Sequence, residues 1–202
     1  MLSMENRILS RSIAVGCTVI LSIFACLAAQ QRTNPGIDVE NLFSPSGFMG
    51  DGEFERTYID FSGAYQTAPH SAPACIKITY SIGPHRFAGI YWLNEPDNWG
   101  DNPGSNYSGR GLSKVTFWAK GELGTEVVEF KTGGINSPSR RYRDSFQGTT
   151  GRLTLTNVWT RYEINLRGAN LSSVIGGFCW VVSADYNQGG RVTFYLDDIY
   201  LE

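Results

Sequence analysis

The chain has 202 residues, a formal net charge of −2, 18% charged and 13% aromatic residues, and 23 glycines. That length suits one domain of ordinary size and is short for two. The near-neutral charge and the lack of a basic run argue against a nucleic-acid partner, while abundant turn formers beside strand formers point to an all-β fold.

Residues 1–29 read as a secretion signal. Arg7 and Arg11 form a basic start, Ile13 to Ala25 is apolar, and Cys26-Leu27-Ala28-Ala29 supplies small residues for cleavage. The apolar run is shorter than the roughly 20 residues of a spanning helix, so no membrane span is expected. Ile23-Phe24-Ala25-Cys26 is similar to a bacterial lipoprotein box, which makes Cys26 a candidate lipid anchor. The expected destination is outside the cytoplasm: secreted, periplasmic or at the cell surface. Residues 30–41 are polar and read as a linker, leaving 42–202 as the folded domain. Of the four cysteines, Cys17 and Cys26 fall in the signal, and Cys75 and Cys179 remain. These two either pair, which would stabilise by about 4–5 kcal/mol in the chain-entropy model, or sit apart as small buried hydrophobes.

Leu42 to Glu55 is rich in Gly, Ser and Pro and reads as an ordered loop. Strand-like runs follow at Thr57–Phe61, Ala74–Tyr80, Phe87–Leu93, Ser113–Lys120, Glu126–Thr132, Arg152–Thr156, Thr160–Leu166, Ile175–Val182 and Arg191–Leu201. Alternation assigns Val115, Phe117 and Ala119 to one face, as it does Ile76 with Ile78, and Val192 with Phe194 and Leu196. Helical periodicity is absent beyond one possible turn at Leu171–Val174. The expected fold is therefore an antiparallel two-sheet β-sandwich or a barrel.

The last strand contains Asp197-Asp198 among Phe, Tyr, Leu and Ile, and Asp is a residue that strands avoid. Adjacent strand residues point to opposite faces, so one carboxylate is expected to face inward and to need a partner. Gly47-Phe48-Met49-Gly50-Asp51-Gly52, Leu112 to Gly121, and Phe194 to Ile199 occur in that order. Together they resemble galactose-binding-like jelly-roll domains, which include many carbohydrate-binding modules of bacterial secreted enzymes. The resemblance implies a jelly-roll β-sandwich, a glycan or polysaccharide partner and a structural calcium ion. It makes Asp197 the first candidate calcium ligand, with Asp51 or Glu53 beside it and Asp198 as an outward, solvated neighbour. Calcium takes six to eight oxygens, many from backbone carbonyls, so few carboxylates need be visible.

Tyr91 to Gly104 concentrates aromatic, amide and carboxylate side chains in a loop bounded by Pro and Gly. A sugar offers apolar C–H faces ringed by hydroxyls, which flat aromatic side chains with polar neighbours recognise. Trp99, Asn98, Asp101 and Tyr107 are the candidate ligand contacts, whereas Trp118 and Trp180 in strands read as core. Arg143, in the basic run Ser139 to Ser145, is a further candidate because guanidinium forks bind hydroxyls and carboxylates; Asp144 is expected to pair with an Arg or an ion. No nucleophile elbow, metal-binding histidine pair or dinucleotide motif is present. Non-catalytic glycan binding is the leading expectation. A protein-contact accessory role, or a glycan-active enzyme using Glu95 or Glu129, are the alternatives.

Overall fold

A computed structural model of the chain describes residues 36–51, 55–188 and 190–202. The expected secretion signal, the candidate anchor residue Cys26, the start of the expected linker and Glu53 lie outside the described residues. A short strand β1 (Ile37–Asp38) leads into a one-turn helix α1 (Val39–Leu42), followed by β2 (Ser44–Gly50) and a 3-10 turn at Glu55–Thr57. Nine further strands complete the chain: β3 (Ile59–Tyr65), β4 (Cys75–Ser81), β5 (Phe87–Leu93), β6 (Lys114–Gly121), β7 (Val127–Gly133), β8 (Gln147–Thr154), β9 (Thr160–Asn165), β10 (Gly176–Ser183) and β11 (Arg191–Leu201). They form two antiparallel sheets. One runs β3-β4-β11-β6-β9 with β1 added to β11, and the other runs β2-β5-β10-β7-β8. The fold is the expected jelly-roll β-sandwich.

The alternating sets meet between the sheets. Val115, Phe117 and Ala119 from β6, Ile76 and Ile78 from β4, and Val192, Phe194 and Leu196 from β11 are all buried. Phe117 lies 4.6 Å from Phe130 and 5.0 Å from Phe178, and Trp180 lies 5.3 Å from Phe194, ring centre to ring centre. Aromatic pairs at such spacings add about 0.5–1.5 kcal/mol beyond their burial.

The structure differs from the sequence reading at the start of the chain. Residues 37–41 of the expected linker form β1 and most of α1, with Ile37 and Val39 buried in the core. Their apolar positions are too few for periodicity to register, and pairing of Ile37 with Leu201 decides their structure. Likewise β2 occupies the expected loop. Its Gly, Ser and Pro residues disfavour a strand, yet an edge position with a bulge between Pro45 and Gly47 tolerates proline. A Cβ on Gly47 would stand 2.8 Å from the Tyr91 Cβ and 3.1 Å from the Trp99 ring, so only glycine fits there. No helix forms at Leu171–Val174. Cys75 and Cys179 are both buried free thiols, on strands of opposite sheets. Burial pushes the Cys75 thiol up to about 11 and raises that of Cys179 too, so both stay protonated.

Candidate functional site

The five-stranded sheet presents on its outer face the residues between those that build the core. Tyr91 of β5 stands in register with Cys179 of β10, and Cys179 with Lys131 of β7. Tyr91, Leu93, Ile135, Ile175 and Cys179 form a second apolar cluster there, with Met49, Trp99, Tyr142 and Val181 packed against it. Beside this cluster lies a groove of about 360 Å³, lined by Tyr91, Glu129, Lys131, Gln147 and Thr149 with small residues between them. The Tyr91 hydroxyl donates to the Gly133 carbonyl at 3.1 Å. Glu129 accepts from the Thr149 hydroxyl at 2.8 Å and sits 3.4 Å from the Lys131 ammonium. Such an arrangement, an aromatic wall with hydrogen-bonding groups of both kinds, suits a polyhydroxylated ligand.

Two loops flank this face. In residues 94–104, Asn98 is 2% exposed, and its carbonyl oxygen accepts from the amides of Gly100, Asp101 and Asn102 at 3.0–3.1 Å. Its amide group donates to Asn94 and to the Asn102 carbonyl. Those bonds use its polar capacity, so Asn98 shapes the loop instead of facing a ligand as expected. Trp99 is half-buried and meets Tyr91 edge-on at 5.8 Å. The second loop, residues 134–145, docks on the first: the Tyr142 amide donates to the Gly100 carbonyl, and Arg140 grips the exposed carboxylate of Asp101 at 2.7 and 2.9 Å. Gly100 has φ +102°, and a Cβ there would come 2.5 Å from the Tyr142 carbonyl oxygen.

Among the described residues, no arginine pairs with Asp144. Asp144 accepts from the main-chain amides of Ile135 at 2.9 Å, Ile175 at 2.5 Å and Gly176 at 3.3 Å. Burial outweighs those bonds and pushes its carboxyl up to about 6. Arg143 is exposed and donates to the Pro138 carbonyl at 3.1 Å. Tyr107 packs elsewhere, against Phe43 of the main core at 6.4 Å. Glu95 is exposed in the first loop, where it accepts from Asn102. The structure thus brings Trp99 to the Tyr91 cluster and leaves Tyr107 apart from it. Sequence reasoning missed Tyr91, Glu129, Lys131, Gln147 and Thr149 as a group. All seven residues of β5 but Gly89 are apolar, so its two faces look alike in sequence.

The acidic pair of β11 lies on the other sheet. β11 pairs with β4 up to Leu196 and with β1 from Tyr200. Between them, side chains replace strand partners. The Asp198 amide donates to Asp197, the Ile199 amide to Glu40 at 3.0 Å, and the Ser71 amide to Asp197 at 2.9 Å. Asp198 takes φ +53° in this bulge, a conformation Asp tolerates better than most residues. Asp198 is therefore not the solvated neighbour expected; it accepts from the Ser71 hydroxyl at 2.6 Å and lies 2.7 Å from His70 Nδ1. Asp197 is 4% exposed, and burial raises its carboxyl above the ordinary range. Burial, with Asp197, Asp38 and Asp198 nearby, pushes Glu40 up to about 7.

Asp51 is not part of this corner. It accepts from the Arg86 amide at 2.7 Å beside His85, which holds its carboxyl below the ordinary range. That places it by the β4–β5 turn, near the start of β11, about 20 Å along the strand from Asp197 at some 3.3 Å per residue. Among the described residues, no three His, Cys, Asp or Glu side chains converge as a metal cage, and no helix is long and apolar enough to cross a membrane. Trp118 also departs from the expected core position: it is half-buried on the outer face and stacks on His70 at 3.8 Å. Trp180 is in the core as expected.

No family model matches the sequence, and no curated protein matches it. Solved structures share the fold. The family 11 carbohydrate-binding module of cellulosomal cellulase Lic26A-Cel5E of Clostridium thermocellum is similar over 82% of this chain and 92% of its own, at 12% identity and a TM-score of 0.52. A family 11 module from the same organism, in complex with a β-1,3-1,4-mixed-linked tetrasaccharide, covers 82% and 93% at 12% identity and a TM-score of 0.53. A family 30 carbohydrate-binding module covers 83% and 98% at 15% identity and a TM-score of 0.53. The chain shares the two-sheet β-sandwich fold of these structures.

Proposed function

We propose that this protein binds a glycan, without catalysing its cleavage, in the groove on the outer face of the five-stranded sheet. The observation that carries the reading is the groove itself: about 360 Å³, with the Tyr91 ring beside Glu129, Lys131, Gln147 and Thr149. Sugar C–H faces would pack on the half-buried Trp99 and Tyr142 rings, which the buried Tyr91 backs. Hydroxyls would meet the carboxylate, ammonium and amide groups. Asp101 and Arg143, exposed on the flanking loops, are candidates for contacts at the rim. The likeness to modules described as carbohydrate-binding supports the same reading. The apolar segment before residue 30 supports action outside the cytoplasm.

Calcium belongs to the same proposal, at the Glu40–Asp197 corner and not at Asp51. Glu40, Asp197 and Asp198 lie around one bulge, and among the described residues only His70 is a basic partner to Asp198. A divalent cation would bind there, with Asp197 and Glu40 supplying carboxylate oxygens and main-chain carbonyls the remainder. Its part would be to hold α1 and the loop before β4 against β11, away from the groove.

A glycan array, followed by affinity electrophoresis of the full chain, tests the proposal. The expected result is retention by a neutral polysaccharide, weakened in Tyr91→Ala and Trp99→Ala. Failure of the wild-type protein to bind any glycan would sink it.

A further inference from the structure

The outer face of the six-stranded sheet carries a row of side chains that neither the groove nor the acidic corner uses. Lys77 of β4, Tyr195 of β11 and Lys120 of β6 stand in register across three adjacent strands. Tyr65 and Trp159 extend the row, their rings 5.6 and 6.5 Å from that of Tyr195. The Lys77 ammonium lies 4.8 Å above the Tyr65 ring, and the Lys120 ammonium 4.9 Å from both Trp159 and Tyr195. Trp159 is held in place by its indole N–H, which donates to the Ala68 carbonyl at 3.1 Å. Rings and ammonium groups thus alternate across the sheet.

The charge on this row is unbalanced. Lys114 and Lys131 have carboxylates within 4 Å, at Glu202 and Glu129. Among the described residues, neither Lys77 nor Lys120 forms an ion pair; aromatic faces attract an ammonium but leave its charge in place. Glu122 borders the row and accepts from the Tyr195 hydroxyl at 3.4 Å. Two strand spacings separate the lysine stems by about 10 Å. Two uncompensated cations over an aromatic floor complement a ligand with apolar ring faces and regularly spaced anions.

We propose that this face is a second binding site, for an acidic polysaccharide that carries carboxylates on its sugar rings. Lys77 and Lys120 each take a carboxylate, and Trp159 and Tyr65 pack against the rings. A single-stranded nucleic acid fits less well, because it needs a longer basic track than two lysines. The site is independent of the groove and of the ligand assigned there.

Affinity electrophoresis of the full chain in polygalacturonate tests this. The expected result is retardation that weakens as salt rises. Lys77→Met with Lys120→Met keeps the aliphatic stems over the rings and should lower affinity about tenfold, the loss expected for two exposed ion pairs. Lys77→Arg with Lys120→Arg should keep binding. Tyr91→Ala and Trp99→Ala, which act on the groove, should leave retardation by polygalacturonate unchanged, and melting temperatures confirm that each variant is folded. The proposal falls if wild type is not retarded, if the methionine variant matches wild type, if groove variants abolish the retardation, or if single-stranded DNA retards the protein where polygalacturonate does not.

Discussion

Replacing Asp144 separates the two forces on a half-buried carboxylate that ties the 134–145 loop to β10. Asp144→Ala leaves the amides of Ile135, Ile175 and Gly176 without their acceptor. All three residues are buried, and a stranded buried donor costs about 1–3 kcal/mol, hence about 3–9 kcal/mol together. Alanine also removes a charge from a site that pushes the carboxyl from 3.8 up to about 6, which offsets about 3 kcal/mol at neutral pH. The net expectation is a loss of about 3 kcal/mol. Asp144→Asn keeps an uncharged acceptor and should cost about 1 kcal/mol or less. The pH dependence has a definite sign. The folded pKa is raised, so the fold binds the proton more tightly than the unfolded chain does. This contribution is fully present below about pH 4 and is lost as pH rises through about 6. Urea unfolding followed by tryptophan fluorescence, at several pH values from about 4 to about 7, reads it directly. Wild type should lose about 3 kcal/mol relative to Asp144→Asn across that range. A gap between the two that stays constant with pH, or an asparagine variant as unstable as alanine, would refute the reasoning.

Phe117 sits between the sheets with Phe130 and Phe178, so Phe117→Ala should cost about 3–5 kcal/mol in the same urea assay. A chelator should lower the melting temperature of wild type and leave Glu40→Gln with Asp197→Asn unaffected; a saturating ligand near 100 times its Kd adds about 2.7 kcal/mol, and an unchanged wild-type melting point defeats the calcium reading. Trp99→Ala should weaken glycan binding about tenfold, on the scale of one aromatic contact, with little change in melting temperature. Asn98→Ala, by contrast, should lower both stability and affinity, because it frees three amides of the loop that carries Trp99; an unchanged affinity would show that the loop does not act on the ligand.

Much of the sandwich was legible because its strands are half-buried. Val115, Phe117 and Ala119 alternate with Thr116, Trp118 and Lys120, and that period assigns the core face without further information. β5 ends where the sequence places it, at Phe87 and Leu93, and β11 at Arg191 and Leu201. Legibility stops where stability comes from a partner. β2 has poor strand residues and exists because β5 pairs with it. Trp118 alternates correctly with the core and so faces outward, which a reading of tryptophan as a core filler overlooks.

The carboxylates show the same division more sharply. The sequence by itself determined that Asp197 and Asp198 are anomalous in a strand and that one of them would be buried, because their apolar neighbours leave no other place for that segment. It could not determine that both are held by Ser71, since a bulge at positive φ cancels the alternation that would have split them. Nor could it select Glu40 over Asp51 as their neighbour. Both acids lie early in the chain, and only the pairing of β1 with β11 brings one of them to the bulge while β4 and β5 carry the other to the far end. The groove was decided in the same way. Tyr91, Lys131 and Gln147 are far apart in sequence, and antiparallel register across β5, β10, β7 and β8 is what sets them side by side.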